Sequence, residues 1–504
     1  MNNRDILRFF SPRWFIAIMG TGAVANILQL ISGKPEGLLH TAATVLLYAA
    51  VIGFPVALVF LTNRLFIDRK MLFKELNHSS LVQFYSAIFI SASVCATGLV
   101  KIPLPFPGPE NTLLLAKAFW GFSLVSGIGL AVFTPWKIIT QNHGETRRIL
   151  GFWFLPPVGL FVLSFAGNFL AIKTQDASWI NNIALLNAIL IGTASFLSLM
   201  LFTLFLLRAL AFPFPQMDVI PSFTIGLAPA GVSIIALLSY LPVLAKAESL
   251  AFLPVASIKP VILLLALLIW GFGLWWVVVS VLITLTAALR KGIPVTLGYW
   301  AFIFPPAAFT LATLILGNGT QVAFIGNIGM VFATLVTLGW ITVTTLTIKG
   351  IFTRDIFKLP ASFSEILDKK ETTSEAKKQI RKHHFQNKFP VFSLDIQKNH
   401  LYQDLQTLAD ELKKRITHHP VARYIADFDH FAHTSEIKGE MVDGLLNARN
   451  IIFCFGPKIE ESRVMAARPR SFGITEFENH FTVSFLEAPS PKATQTMKDW
   501  VHSL

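Results

Sequence analysis

Ten stretches of the chain run apolar for the length of a membrane span: 14–31, 38–62, 81–100, 112–139, 152–172, 179–207, 219–244, 258–289, 297–317 and 321–348. About 20 such residues cross the hydrocarbon core of a bilayer. Lipid offers no partner to an unpaired backbone N–H, so the runs are expected as helices. Past residue 359 the pattern changes. Residues 360–388 read as a charged linker, either an exposed helix or a solvated tether. Residues 389–504 mix two periodicities. Alternation predicts strands at 389–396, 421–431, 450–455 and 481–487, and helical spacing predicts helices at 401–416, 439–448 and 492–504.

The odd-numbered runs share small residues or proline near mid-span. The first carries Met19-Gly-Thr-Gly22, the third Ala96-Thr-Gly98, the fifth Leu155-Pro-Pro-Val-Gly159, the seventh Leu227-Ala-Pro-Ala-Gly231 and the ninth Phe304-Pro-Pro-Ala-Ala308. Gly22 and Gly98 are 76 residues apart, Pro157 and Pro229 are 72 apart, and Pro229 and Pro305 are 76 apart. That period is one helical hairpin. Gly and Pro free backbone groups, which in a bilayer must face protein or water. The odd helices are therefore expected inside and the bulky even helices outside. The expected fold is an all-α polytopic membrane domain at 1–359, ten helices in five hairpins around a central pore, followed by a small cytoplasmic α+β domain at 389–504. Gly20, Thr21, Gly22, Gly98, Pro157, Gly159, Pro229, Gly231 and Pro305 are the candidate pore-lining and kink residues. Ordinary close helix packing accounts for any one of the glycines as well. Their recurrence in every odd run favours a path.

Composition supports the membrane reading. The chain is 53% hydrophobic and 14% charged, against about 25% charged in soluble domains. This excludes a soluble globular enzyme throughout. Two cysteines, Cys95 and Cys454, exclude a disulfide scaffold and a Cys-rich metal module. The net charge of +13 divides into +12 for residues 1–359 and +1 for the rest. Lys and Arg placed between apolar runs orient helices and do not mark a nucleic-acid footprint. With the N-terminus inside, thirteen of them fall on the inner side and six on the outer. Both termini are therefore expected in the cytoplasm, with the protein in the cytoplasmic (inner) membrane. Arg4, Arg8 and the Ala23-Val-Ala25 stretch look like a signal peptide, but the run continues apolar past them, so the first helix is expected uncleaved.

No Asp or Glu falls clearly inside a run; Glu110, Asp176, Asp218 and Glu248 lie in loops or at ends. Proton-coupled carriers usually hold an acid or His within the membrane. A neutral path with a positive inner mouth suits small anions, held weakly at backbone N–H groups of bent helices. Phe304 precedes Pro305 at the expected kink, where a ring can close a path by steric block and dewetting. In a chain with 45 Phe, a packed or lipid-facing ring is the plain alternative. There is no nucleotide-binding loop and no nucleophile constellation, so neither catalytic residues nor a cofactor are expected.

Phe10-Ser-Pro-Arg-Trp-Phe15 with Met19-Gly-Thr-Gly22, then the fifth- and seventh-run motifs, then Tyr299-Trp-Ala-Phe-Ile-Phe-Pro305, resemble the tellurite-resistance/dicarboxylate transporter family. That family includes plant slow anion channels, bacterial tellurite-resistance channels, and fungal malate and sulfite transporters. The resemblance covers about residues 8–350. It implies five hairpins around a pore, a homotrimer with one pore per subunit, and a gating phenylalanine in the ninth helix, which falls on Phe304. It implies small anions of the chloride, nitrate, malate or sulfite class as cargo. The doubled Pro305-Pro306 leaves the kink and the gate register open. The tail lies outside the resemblance.

Nine of the twelve histidines lie beyond residue 380. His430 and His433 share a face only on a helix, and their spacing matches no zinc pattern, so no metal is expected. Cys454 lies in an apolar run and reads as an inert core thiol. The Arg463, Arg468 and Arg470 cluster reads as a solvated basic loop, or as a contact for an anion or acidic lipid. Three functions compete: a gated passive anion channel, a secondary carrier for malate, sulfite or tellurite, and a membrane sensor with the tail as output. The absence of an intramembrane acid favours the first, and no output signature supports the third.

Overall fold

The structure is a computed structural model. It describes residues 10–78, 80–141, 149–212, 214, 216–357, 380–386, 388–398, 402, 404–455 and 462–504. The chain divides into two compact units, Met1–Asp368 and Lys369–Leu504.

Among the described residues of the first unit, ten helices are long and apolar enough to cross a membrane. They are α1 (Trp14–Ser32), α2 (Leu38–Ile67), α4 (Ser86–Lys101), α5 (Pro109–Gln141), α6 (Leu155–Ile172), α7 (Ala177–Ala211), α8 (Leu227–Leu244), α9 (Val255–Lys291), α10 (Phe304–Thr320) and α11 (Ala323–Thr353), with a short α3 (Arg69–Leu76) after α2. Each odd-numbered run packs with the even one that follows it, giving the five hairpins the repeat predicts. The inner helices α1, α4, α6, α8 and α10 pack in succession, and α10 returns to α1 to close a ring. Burial separates the layers. In the inner spans 61–100% of residues are buried, against 22–28% in the outer spans. The outer helices turn residues such as Ile52, Leu264 and Leu335 outward, as lipid contact requires.

Polar groups tie helices within and between hairpins where hydrocarbon offers no competitor. Asn187 on α7 donates to Asn168 on α6 at 2.7 Å, and Asn168 donates to Ser239 on α8 at 3.0 Å.

The second unit is a six-stranded antiparallel sheet in the order β1-β2-β6-β5-β4-β3. Its strands are β1 (Arg381–Phe385), β2 (Phe389–Gln397), β3 (Ala422–Asp429), β4 (Asn447–Phe455), β5 (Arg470–Glu476) and β6 (His480–Leu486). Helices α12 (Leu405–His418), α13 (His430–Glu436) and α14 (Pro491–His502) accompany them. Leu408, Leu412 and Met497 from α12 and α14 join Phe453, Phe472 and Val483 of the sheet in one core.

Two expectations for this unit are corrected. Residues 439–448 form no helix: Gly444 takes a φ of +78°, and β4 begins at Asn447. The helix lies earlier, at His430, because Asp429 accepts the Ala432 N–H at 2.8 Å and ends the strand. The segment expected as a linker also contains β1, which pairs with β2. Its sequence, Arg-Lys-His-His-Phe, is exposed throughout, as a charged edge strand can be, and so shows no alternation. Of that expected linker, residues 360–379 and 387 lie outside the described residues.

Candidate functional site

Four of the inner spans open with a 3-10 segment before the α-helix: Val82–Tyr85, Gly151–Phe154, Met217–Gly226 and Leu297–Phe302. The prolines sit at these junctions. Pro157, Pro229 and Pro305 each fall within the first three residues of α6, α8 and α10. Proline has no N–H to donate, and the first turn of a helix asks for none. The expectation of a mid-helix kink is therefore replaced by a helix start. Outer helices α2 and α5 contain Pro55 and Pro135 within their length, so proline alone does not mark an inner helix.

The glycines meet neighbours closely. A Cβ on Gly20 would stand 3.1 Å from Trp300, on Gly22 2.8 Å from Val94, and on Gly98 2.5 Å from Leu47. On Gly159 it would stand 2.2 Å from the Phe89 ring, and on Gly231 2.6 Å from the Ala308 carbonyl carbon. Each glycine therefore presses one helix onto another. Thr21 accepts a hydrogen bond from Trp340 Nε1 at 3.1 Å, which turns it toward α11 in the outer layer.

Phe304 is the first residue of α10 and is 3% exposed. Pro306, Phe309 and Thr310 front a cavity of about 300 Å³ against α9 and α11. Ala308 and Phe309 meet Gly231 of α8, and Ile303 meets Gly20 of α1. A helix advances about 100° per residue. By that spacing Phe304, Leu311 and Ile315 share the face of α10 that these contacts leave over. Among the described residues the Phe304 ring pairs with no other aromatic ring.

All five inner segments line one small axial cavity of about 40 Å³, at the end where those segments begin. Arg13 and Ile16 come from the start of α1, and Phe84, Phe152, Ser222 and Ala301 from the four 3-10 segments. Asp218 also lines it. The sequence reading expects a neutral path with a positive mouth; at this end Arg13 is joined by the Asp218 carboxylate, which that reading left in a loop. Positions 13 and 218 flank the apolar runs, and the 3-10 entries draw them into the ring. Behind the cavity wall lies a second charged group the sequence reading missed. Arg64 on α2, fully buried, forks onto Glu75 of α3 with bonds of 3.0 and 2.7 Å, and Tyr85 donates to the same carboxylate at 3.0 Å. Only the three-dimensional fold-back of α3 reveals this pair.

In the second unit, His430 and His433 lie on α13 and both flank Phe428, with ring centroids 4.6 and 5.6 Å away. Cys454 corrects the core reading. Ile451 and Phe453 point into the core, so strand alternation sends Cys454 to the opposite face, where it is half-buried. Arg470 is committed to the Leu486 carbonyl.

The family model for voltage-dependent anion channels matches residues 9–348. The chain belongs to the voltage-dependent anion channel family. A separate model, for a family of unknown function, matches residues 380–504. The channel-family region is 26% identical over 355 residues to an uncharacterized transporter of Methanocaldococcus jannaschii, covering 70% of this chain and 97% of the archaeal one. It is also 26% identical over 356 residues to the sulfite efflux pump of Arthroderma benhamiae, covering 69% of this chain and 92% of the fungal one. The matched region spans the ten-helix ring, and anion transport is the activity of the family.

Proposed function

We propose that the protein is a gated, passive channel for small anions, closed at Phe304. The observation that carries this reading is the position of that ring. It stands at the junction of a 3-10 segment and α10, on the face of α10 that the contacts with Gly231 and the outer helices leave over, with no aromatic partner among the described residues. A large apolar ring at a constriction blocks ions by size and by dewetting. Pro157, Pro229 and Pro305 set the junctions whose backbone groups would line the path, and the five glycines set how tightly the ring closes. Likeness to transporters named for sulfite efflux supports small inorganic anions as cargo. It equally supports a second reading, a secondary carrier for sulfite. A cytoplasmic-membrane location with both termini inside follows from the Lys and Arg distribution, and a homotrimer from the family resemblance.

Flux in liposomes separates the readings. A channel gives downhill anion flux that rises in Phe304→Ala and needs no proton gradient. A carrier gives saturable flux, stimulated by a proton gradient, that Phe304→Ala does not raise.

A further inference from the structure

We propose that the outward face of α3, together with the end of α5, is a docking site for the headgroups of anionic phospholipids. It rests only on the chain spanning a bilayer, and so holds for a channel and a carrier alike. Leu65 and Phe66, both exposed, form the last apolar turn of α2, and Arg69 and Lys70 follow at once. α3 therefore begins where hydrocarbon gives way to headgroups. A helix advances about 100° per residue, which gathers Arg69, Lys70, Phe73 and Lys74 within about 140° of its circumference. All four are exposed. The opposite side carries Leu72 and Glu75, both buried. Glu75 is the one carboxylate of α3, and it is turned inward onto Arg64 and Tyr85. Asp68 stands at the end of the helix and caps it, accepting the Met71 N–H at 3.0 Å. The outward face thus shows three cations around one ring.

The next hairpin brings a fourth cation to the same place. Lys137, near the end of α5, donates to Asn77, the residue that ends α3, at 3.0 Å. Its ammonium lies 5.3 Å from the Trp136 ring, as the Arg69 guanidinium lies 5.3 Å from the Phe73 ring. Trp136 and Ile139 are themselves exposed. Cations interleaved with aromatic rings suit the boundary between headgroups and hydrocarbon. The mixture also selects the occupant. A free anion would satisfy the cations and leave Phe66, Phe73 and Ile139 in water. An anionic phospholipid brings a phosphate to Arg69, Lys70, Lys74 and Lys137 and acyl chains to the apolar side chains between them. The site is joined to the ring as well. Glu75 ties α3 to Tyr85, which leads directly into α4, so a headgroup held on α3 braces the entry of an inner helix.

Native mass spectrometry of the full-length protein counts the lipid it retains. From mixed micelles of phosphatidylglycerol and phosphatidylcholine, wild type should keep phosphatidylglycerol selectively. Lys70→Gln combined with Lys74→Gln alters two exposed side chains and keeps the fold. It should weaken phosphatidylglycerol retention about fivefold per lysine, about 25-fold together. Lys34→Gln combined with Lys259→Gln removes two exposed lysines at the other end of the helices and should leave retention unchanged. Phosphatidylglycerol should also raise the unfolding temperature of wild type and not that of the Lys70→Gln, Lys74→Gln protein, because a ligand stabilises the state that binds it. Equal retention by wild type and the Lys70→Gln, Lys74→Gln protein would overturn the proposal. So would displacement of the lipid by millimolar inorganic phosphate, which would make the patch a site for a free anion.

Discussion

Gly231 on α8 lies against Ala308 on α10 so closely that a Cβ on the glycine would stand 2.6 Å from the alanine carbonyl carbon. Backbone cannot swing aside as a side-chain tip can. Gly231→Ala should therefore force α8 and α10 apart and destabilise the membrane domain by about 1–3 kcal/mol, the range for overpacking. Gly192, with nothing within 4 Å of its missing Cβ, is the control. Gly192→Ala should leave stability unchanged or slightly raised, because alanine is the better helix former. Thermal unfolding in detergent measures both.

The buried Arg64–Glu75 pair should behave as one unit. Glu75→Gln leaves the guanidinium without its counter-charge in a fully buried site, a loss of about 3–5 kcal/mol. Tyr85→Phe removes only one hydrogen bond to the carboxylate and should cost about 1–3 kcal/mol. Equal effects of the two substitutions would contradict this ordering.

The sheet unit carries its own core. A fragment of residues 380–504 should therefore fold alone and unfold cooperatively, followed by circular dichroism. Leu408, fully buried among sheet residues, should cost about 2–5 kcal/mol as Leu408→Ala in that fragment.

The ring was readable in the sequence because its cause is local. A hairpin period with a small-residue or proline motif in alternate spans carries the inner and outer layers directly. The chemistry at the end of the ring was not readable in the same way. Arg13 and Asp218 stand just outside the apolar runs, and hydropathy assigns such residues to solvent. Arg64 is buried only because α3 folds back to present Glu75. Proline gave the right places for the wrong reason, since Pro157, Pro229 and Pro305 begin helices and do not kink them. In the second unit, β1 escaped notice because an exposed charged edge strand has no alternation to read.

The account turns on Phe304, and single-molecule currents in planar bilayers test it most directly. Purified wild type and Phe304→Ala are compared under a chloride gradient, with Phe309→Ala as a control. Phe309 is fully buried against Gly231 and Gly273, away from the ring interior. The account predicts unitary currents that reverse at the chloride potential and are larger or more frequent in Phe304→Ala, with no such gain in Phe309→Ala. Currents unchanged by Phe304→Ala, or no current from any variant beside saturable proton-driven uptake in liposomes, would contradict it.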